Sequence, residues 1–213
     1  GNRVYAIFAS GDVVAFDMNG TPAWQVKLGE HKSAYGYASS LVLYQNLLLV
    51  QYDQQKDGAD GGSALLALDA RTGKTAWRIK RNMGPSWSTP LVIGTRRGPQ
   101  VIVCANNGIT AYAPEDGREI WTVHGETQEL VPTPTIAGGL IIATMTGSGT
   151  MAISPDGQGD VTKTHVAWSD EDAVTDVPSP VGCGDLFFRL FAGKLICHQA
   201  ADGERPVERR VEI

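Results

Sequence analysis

Four stretches of the chain repeat one pattern of residue types. They are Ala15-Phe16-Asp17 with Gly20 and Trp24, Ala67-Leu68-Asp69 with Gly73 and Trp77, Ala111-Tyr112-Ala113 with Gly117 and Trp121, and Ala152-Ile153-Ser154 with Trp168. A fifth, Cys197-His198-Gln199 with Gly203, keeps the turn glycine but carries Val207 in the tryptophan position. Self-similarity of this kind means one supersecondary unit copied along the chain, each copy stacked on the next. Such a body is a scaffold first, so function must be argued from particular side chains.

The third copy shows the unit best. Trp87 to Ile93 is strand-like, Gly94 to Gly98 turns, and Val101 to Cys104 reads as a buried strand. Asn106-Asn107-Gly108 turns again before a strand at Ile109 to Tyr112; Pro114 to Gly117 is a tight turn, and Glu119 to Val123 a fourth strand. Short β-rich runs bounded by Gly, Asn, Asp and Pro, with no sustained helical period, predict an antiparallel meander. Ser39-Ser40-Leu41-Val42, Thr89-Pro90-Leu91-Val92, Thr133-Pro134-Thr135-Ile136 and Ser179-Pro180-Val181 open copies two to five, their hydroxyls stepping by 50, 44 and 46 residues. Four strands at this period predict an all-β propeller of four-stranded antiparallel blades around a central channel, opening strands innermost. A generic β-sandwich has similar turns, but its strands would not recur so regularly. The blades are expected at about 1–34, 35–83, 84–127, 128–173 and 174–213, one domain throughout. Trp24, Trp77, Trp121 and Trp168 are expected to lie across the blade junctions, with Gly73, Gly117 and Gly203 permitting close approach.

The first copy enters at Arg3-Val4-Tyr5-Ala6-Ile7-Phe8, already its second strand, so the expected total is 19 strands. Three arrangements would close the ring: a piece of a larger propeller of seven or eight blades, a five-bladed ring, or closure by a second copy. Open blade edges invite pairing with another chain, so self-association belongs to the expectation.

Net charge is −5, and the 18 Lys and Arg are scattered. No basic stripe points to nucleic acid or to an anionic lipid surface. The apolar runs are strand-length, too short to span a bilayer as helices. The start at a glycine directly before strand-like sequence looks like a trimmed end, so the missing signal peptide says little about compartment. Cys104, Cys183 and Cys197 form no CxxC pair. Cys183 and Cys197 fall two strands apart, about 10 Å, beyond the ~7 Å reach of a disulfide. All three are expected to be small buried thiols, which leaves the redox compartment open.

Ala67-Leu-Asp-Ala-Arg-Thr-Gly-Lys-Thr-Ala-Trp77 resembles the repeat signature of the PQQ-like β-propeller proteins, which include quinoprotein dehydrogenases and the propeller lipoprotein of outer-membrane assembly. Gly159-Asp-Val-Thr-Lys-Thr-His-Val-Ala-Trp168 resembles a phrase of a bacterial subset of that family whose complete members look longer. Ala113, Ser154 and Gln199 at the Asp position, the long stretch before Trp168, and Val207 depart from the pattern. The resemblance implies a periplasmic or extracellular setting and a non-enzymatic binding or scaffolding role, with a protein or small polar ligand as partner. Its first alternative is the extracytoplasmic sensor domain of a bacterial membrane Ser/Thr kinase. Quinone-dependent members use vicinal cysteines, a stacking Trp and a Ca²⁺ site; this chain has no adjacent cysteines and no matching ligand set. Neither a cofactor nor a metal is therefore expected.

Asp53, Asp57 and Asp60 lack the spacing of a calcium loop and read as a polar hairpin loop. Ser169-Asp170-Glu171-Asp172, with Asp176, reads as a solvated acidic loop between blades four and five. His31, His124, His165 and His198 sit at unrelated repeat positions, His165 on a surface strand, and no nucleophilic set follows from their spacing. Trp87 alone among five tryptophans leaves the junction slot. It stands before Thr89, where Tyr37, Val131 and Val177 stand in other copies, near one mouth of the channel. With Tyr35, Tyr37, Ser39, Thr89, Thr133 and Ser179 it would form a ligand-anchoring ring, because aromatics dominate contact hot spots; otherwise it plugs the axis.

Overall fold

The computed structural model describes residues 2–55, 62–125, 131–146, 149–175 and 177–210. Asp57, Asp60 and Asp176 lie outside them. The strands fall into five sheets that follow the repeat. Sheet one holds β1 (Arg3–Ile7), β2 (Asp12–Asp17) and β3 (Pro22–Lys27); sheet two holds β4 (Val42–Tyr44), β5 (Leu47–Tyr52), β6 (Ala64–Asp69) and β7 (Thr75–Lys80). Sheet three contains β8 (Leu91–Thr95), β9 (Gly98–Ala105), β10 (Gly108–Tyr112) and β11 (Glu119–His124). In sheet four β12 (Thr135–Ala137), β13 (Leu140–Met145) and β14 (Gly149–Ile153) run to the outer strand β16 (Val166–Asp170). Sheet five is β17 (Val181–Cys183), β18 (Leu186–Phe191), β19 (Lys194–Gln199) and β20 (Val207–Arg210).

One strand departs from the expected 19. β15 (Gly159–Asp160) belongs by sequence to the fourth repeat but pairs in parallel with β11 of the third sheet, Trp121 opposite Gly159 and Thr122 opposite Asp160. The described strands thus number 20, sheet three has five, and the boundary expected at 127/128 is crossed by this segment. The long stretch before Trp168 is the cause. It reaches back over the neighbouring blade and buries Val161 beside Trp121. His165, expected on a surface strand, sits in the turn that closes this excursion, its N–H on the Val161 carbonyl at 3.0 Å.

Position within the blade explains the apolar pattern. Middle strands such as β5, β6 and β10 are buried on both faces and read as continuous apolar runs. Outer strands β3 and β7 alternate exposed and half-buried residues. Across each third-to-fourth strand pair the repeat alanine faces the repeat tryptophan: Ala15 with Trp24, Ala67 with Trp77, Ala111 with Trp121, Ala152 with Trp168. A register shift follows each of these alanines. The small side chain leaves room for the ring, and the bulge re-aims the strand at the turn.

The two ends of the array are bare. Val4 and Phe8 on the first sheet, and Val181, Leu195 and Val207 on the fifth, are exposed. Gly20 meets nothing within 4 Å, whereas its counterparts Gly73, Gly117 and Gly203 each meet an indole. Cys183 shares this open face and is exposed, against the expectation of three buried thiols; Cys104 and Cys197 are buried. No described helix is long and apolar enough to cross a membrane.

Candidate functional site

The blade junctions share one geometry. Trp24, Trp77 and Trp168 donate their indole N–H to the carbonyls of Ala70, Pro114 and Ala200 at 3.1, 2.9 and 2.8 Å. Each ring also lies against the turn glycine of the next blade, Gly73, Gly117 or Gly203, all at φ between +73° and +78°. Trp121 keeps the carbonyl contact, to Pro155 at 3.2 Å, and adds Gln100 Oε1 at 3.0 Å, but has no such glycine. The β15 excursion covers it instead, and it is completely buried.

Ahead of β4, Ser33–Tyr37 forms a bend fastened to the segment that leads into β8. Gly36, at φ +73°, offers its carbonyl to the indole N–H of Trp87 at 2.9 Å and to the Ser33 hydroxyl at 2.8 Å. Trp87 is 9% exposed, so its ring serves as a base. Tyr35 stands edge-on against it, centroids 5.5 Å apart, and is 73% exposed. Tyr37 turns inward instead, stacking on Tyr52 at 5.7 Å and meeting His31 edge-on at 5.3 Å. Burial pushes the Tyr37 phenol well above its usual range and that of Tyr52 up to about 12.

The hydroxyls form a belt between blades. Thr89 Oγ1 accepts from the Ser40 N–H at 2.9 Å, Thr133 Oγ1 from Thr89 at 3.1 Å, and Ser179 Oγ from Thr133 at 2.9 Å. Three of the four nominated hydroxyls are therefore occupied by the scaffold. Ser39 is buried one residue before Ser40, which takes the belt position that the spacing had given to Ser39.

Sequence reading missed the buried polar network that includes Ser86, the residue before Trp87. Asp53, placed in a polar loop by its spacing, is fully buried and accepts two bonds from Arg81 Nη1 at 2.9 and 2.7 Å. Ser86 donates to the same carboxylate at 2.9 Å, and Gln51 Nε2 reaches Asp53 at 2.7 Å and the Cys104 carbonyl at 2.9 Å. His31 Nε2 sits 2.8 Å from the Asp53 carbonyl. This network joins blade two to the segment that presents Trp87. The signal was available: Gln51 and Asp53 alternate on one face at the end of an otherwise apolar strand. The acidic loop also proves partly structural, since Asp170 pairs with Arg205 of the next blade.

Chemically Tyr35 and Trp87 form an aromatic ledge on a rigid base. Ser33 lies 3.4 Å from His31 Nδ1, but its proton is held by Gly36, so the pair is not arranged as nucleophile and base. Among the described residues no group of three or more His, Cys, Asp or Glu stands close enough to hold a metal.

Comparison places this architecture in a family. The profile described as outer membrane protein assembly factor BamB matches residues 60–212. The chain belongs to this BamB-like family of PQQ-like repeat propellers. The crystal structure of BamB from Moraxella catarrhalis is similar, with TM-score 0.70 and 17% identity over 98% of this chain and 58% of that one. A computationally designed protein, Ika8, also matches, with TM-score 0.69 and 11% identity over 100% of this chain and 60% of that one. At such identities these likenesses establish the fold, here a partial β-propeller. The chain spans about three fifths of the length of these structures. None of the curated proteins compared with it matches.

Proposed function

We propose that this BamB-like chain is a non-enzymatic binding scaffold that recognises a protein segment at one mouth of its channel. Tyr35 is the contact residue and Trp87 its support; Tyr37, Ser39, Thr89, Thr133 and Ser179 hold the surrounding wall. The observation that carries the reading is the exposed Tyr35 ring seated on a buried indole whose N–H is already satisfied. Such an aromatic presents apolar area at small ordering cost, as contact hot spots do. An apolar or proline-bearing segment fits this surface. The family description, an outer-membrane assembly factor, supports a protein partner and an extracytoplasmic, periplasmic setting.

The test is selection of peptides from a displayed library on the wild-type chain, then titration of the winners against Tyr35→Ala. Loss of a hot-spot aromatic costs about 2 kcal/mol, roughly thirtyfold in Kd. Selected peptides whose affinity ignores Tyr35→Ala and Trp87→Leu alike defeat the reading.

A further inference from the structure

The connection from β7 to β8 is pinned at four places. The Met83 carbonyl accepts from the Ser63 hydroxyl at 2.9 Å, and the Gly84 N–H donates to Asn106 Oδ1 at 3.1 Å. Ser86 donates to buried Asp53 at 2.9 Å, and Trp87 to the Gly36 carbonyl at 2.9 Å. Between these fixed points Met83, Gly84 and Pro85 are half-buried, so part of each remains open to solvent as an apolar strip. Proline fixes its own φ and adds to the stiffness. A surface held in this way loses little freedom when it is covered.

The strip joins two unlike ends. One is the Tyr35 ring on Trp87. The other is a hollow of about 340 Å³ against blade three, with Lys80, Arg81 and Met83 on one wall and Tyr112, Arg118 and Glu119 on the other. Arg81 is neutralised by Asp53, and Glu119 accepts from the Thr122 hydroxyl at 3.1 Å. Arg118 stands 4.0 Å from Asp116, with side chains 65% and 61% exposed, so that pair is weak. Lys80 has no ion-pair partner among the described residues, nor has Arg78, two positions earlier on the same exposed face of β7. These two cations also line an adjoining hollow of about 280 Å³ with Ser63. In a chain of net charge −5, this end of the strip is cationic.

We propose that the strip docks one extended segment of a partner protein, with an apolar or proline residue at Tyr35 and Asp or Glu side chains at Lys80, Arg78 and Arg118. The site is the one proposed above for Tyr35, on which this assignment rests; the acidic half of the guest is added to it. Lys80 and Trp87 are seven positions apart, at most about 24 Å of chain. An extended guest therefore carries its acid no more than seven positions from the residue on the ledge. Met83, Gly84 and Pro85 suit apolar or small guest residues between the two. Opposed charges at the cationic end fix register and partner choice, while the buried aromatic contact supplies most of the affinity.

The experiment selects a library of random peptides of about twelve residues, long enough to cover the strip, on the whole chain at low salt. The peptides are displayed without a free C-terminus, so that only side chains supply carboxylates. Winners are expected to be enriched in Asp or Glu within seven positions of a proline, aromatic or aliphatic residue. Their Kd, read by fluorescence anisotropy, rises roughly tenfold for Lys80→Glu with Arg118→Glu, two exposed positions, and rises separately for Tyr35→Ala. Each variant is checked for native circular dichroism. Winners that need Tyr35 but ignore the charge reversal overturn this proposal and leave the Tyr35 reading standing. Winners indifferent to Tyr35→Ala overturn both, as does a selection that yields no binder. The charge reversal must also lose its effect on peptides whose Asp and Glu are replaced by Asn and Gln. An equal effect on those peptides overturns the proposal.

Discussion

The indole of Trp77 lies so close across Gly117 that a Cβ on the glycine would stand 2.7 Å from Trp77 Cε3. Gly117 also has φ +73°, so an L side chain there is opposed by both backbone and neighbour. Gly117→Ala is expected to lower stability by about 3 kcal/mol, the sum of left-handed strain and overpacking. Gly20→Ala meets only the backbone penalty, about 1 kcal/mol, because nothing lies within 4 Å of it. Urea denaturation of both variants measures the difference, and equal losses would refute the indole contact.

The buried Asp53–Arg81 pair makes an ordering testable. Removing either partner strands the other charge, so Asp53→Ala and Arg81→Ala should each cost about 3–5 kcal/mol. Replacing both by residues of similar volume, Asp53→Leu with Arg81→Met, removes the desolvation penalty as well as the attraction. The double variant should therefore lose less than either single one in the same denaturation assay. A double loss equal to the sum of the singles would contradict a coupled pair.

Thiol chemistry should separate the three cysteines. Cys183 is exposed, while Cys104 is buried and its thiol is pushed up to about 12 by burial. A thiol-reactive dye on the folded chain should label one site quickly, and Cys183→Ser should erase that phase. Fast labelling that survives the substitution would mean that the fifth blade is covered differently.

Two histidines set an acid limit. Burial lowers both His31 and His198 below the ordinary value of 6.5, and His198 also receives the Nε–H of Arg189 at 2.9 Å. A base whose folded pKa is depressed binds its proton more readily when unfolded. Their contribution is therefore full above pH 6.5 and is lost as pH falls through 6.5 toward the lowered folded values. Thermal midpoints should decline from pH 7.5 to 5.5, before carboxylates titrate. His31→Gln with His198→Gln should flatten that decline; an unchanged slope would show that other groups cause it.

The repeat was legible because its signals are local. Alanine, turn glycine and tryptophan stand close together within each copy, and Trp24, Trp77 and Trp168 each meet the glycine of the next copy in the same way. The Ala–Trp cross-strand pairs and the indole–glycine contacts follow from that spacing. The departures arise where a residue's partner is distant in the chain and breaks the repeat pattern. Asp53 looked like a loop carboxylate because Arg81 stands 28 positions away. The segment before Trp168 looked like an insertion within its own blade because parallel pairing with β11 leaves no periodic trace. Trp87 could be singled out by its position outside the junction slot, but whether it or Tyr35 faced solvent depended on the bend at Gly36.

The amino-acid sequence by itself determined the unit: a β-meander whose hydrogen bonds and turns are closed among neighbouring residues. Tertiary structure alone decided which hydroxyls are consumed by the belt and which charge pair is buried. Those outcomes depend on contacts between residues far apart in the chain, where distance along the chain carries no information about distance in space.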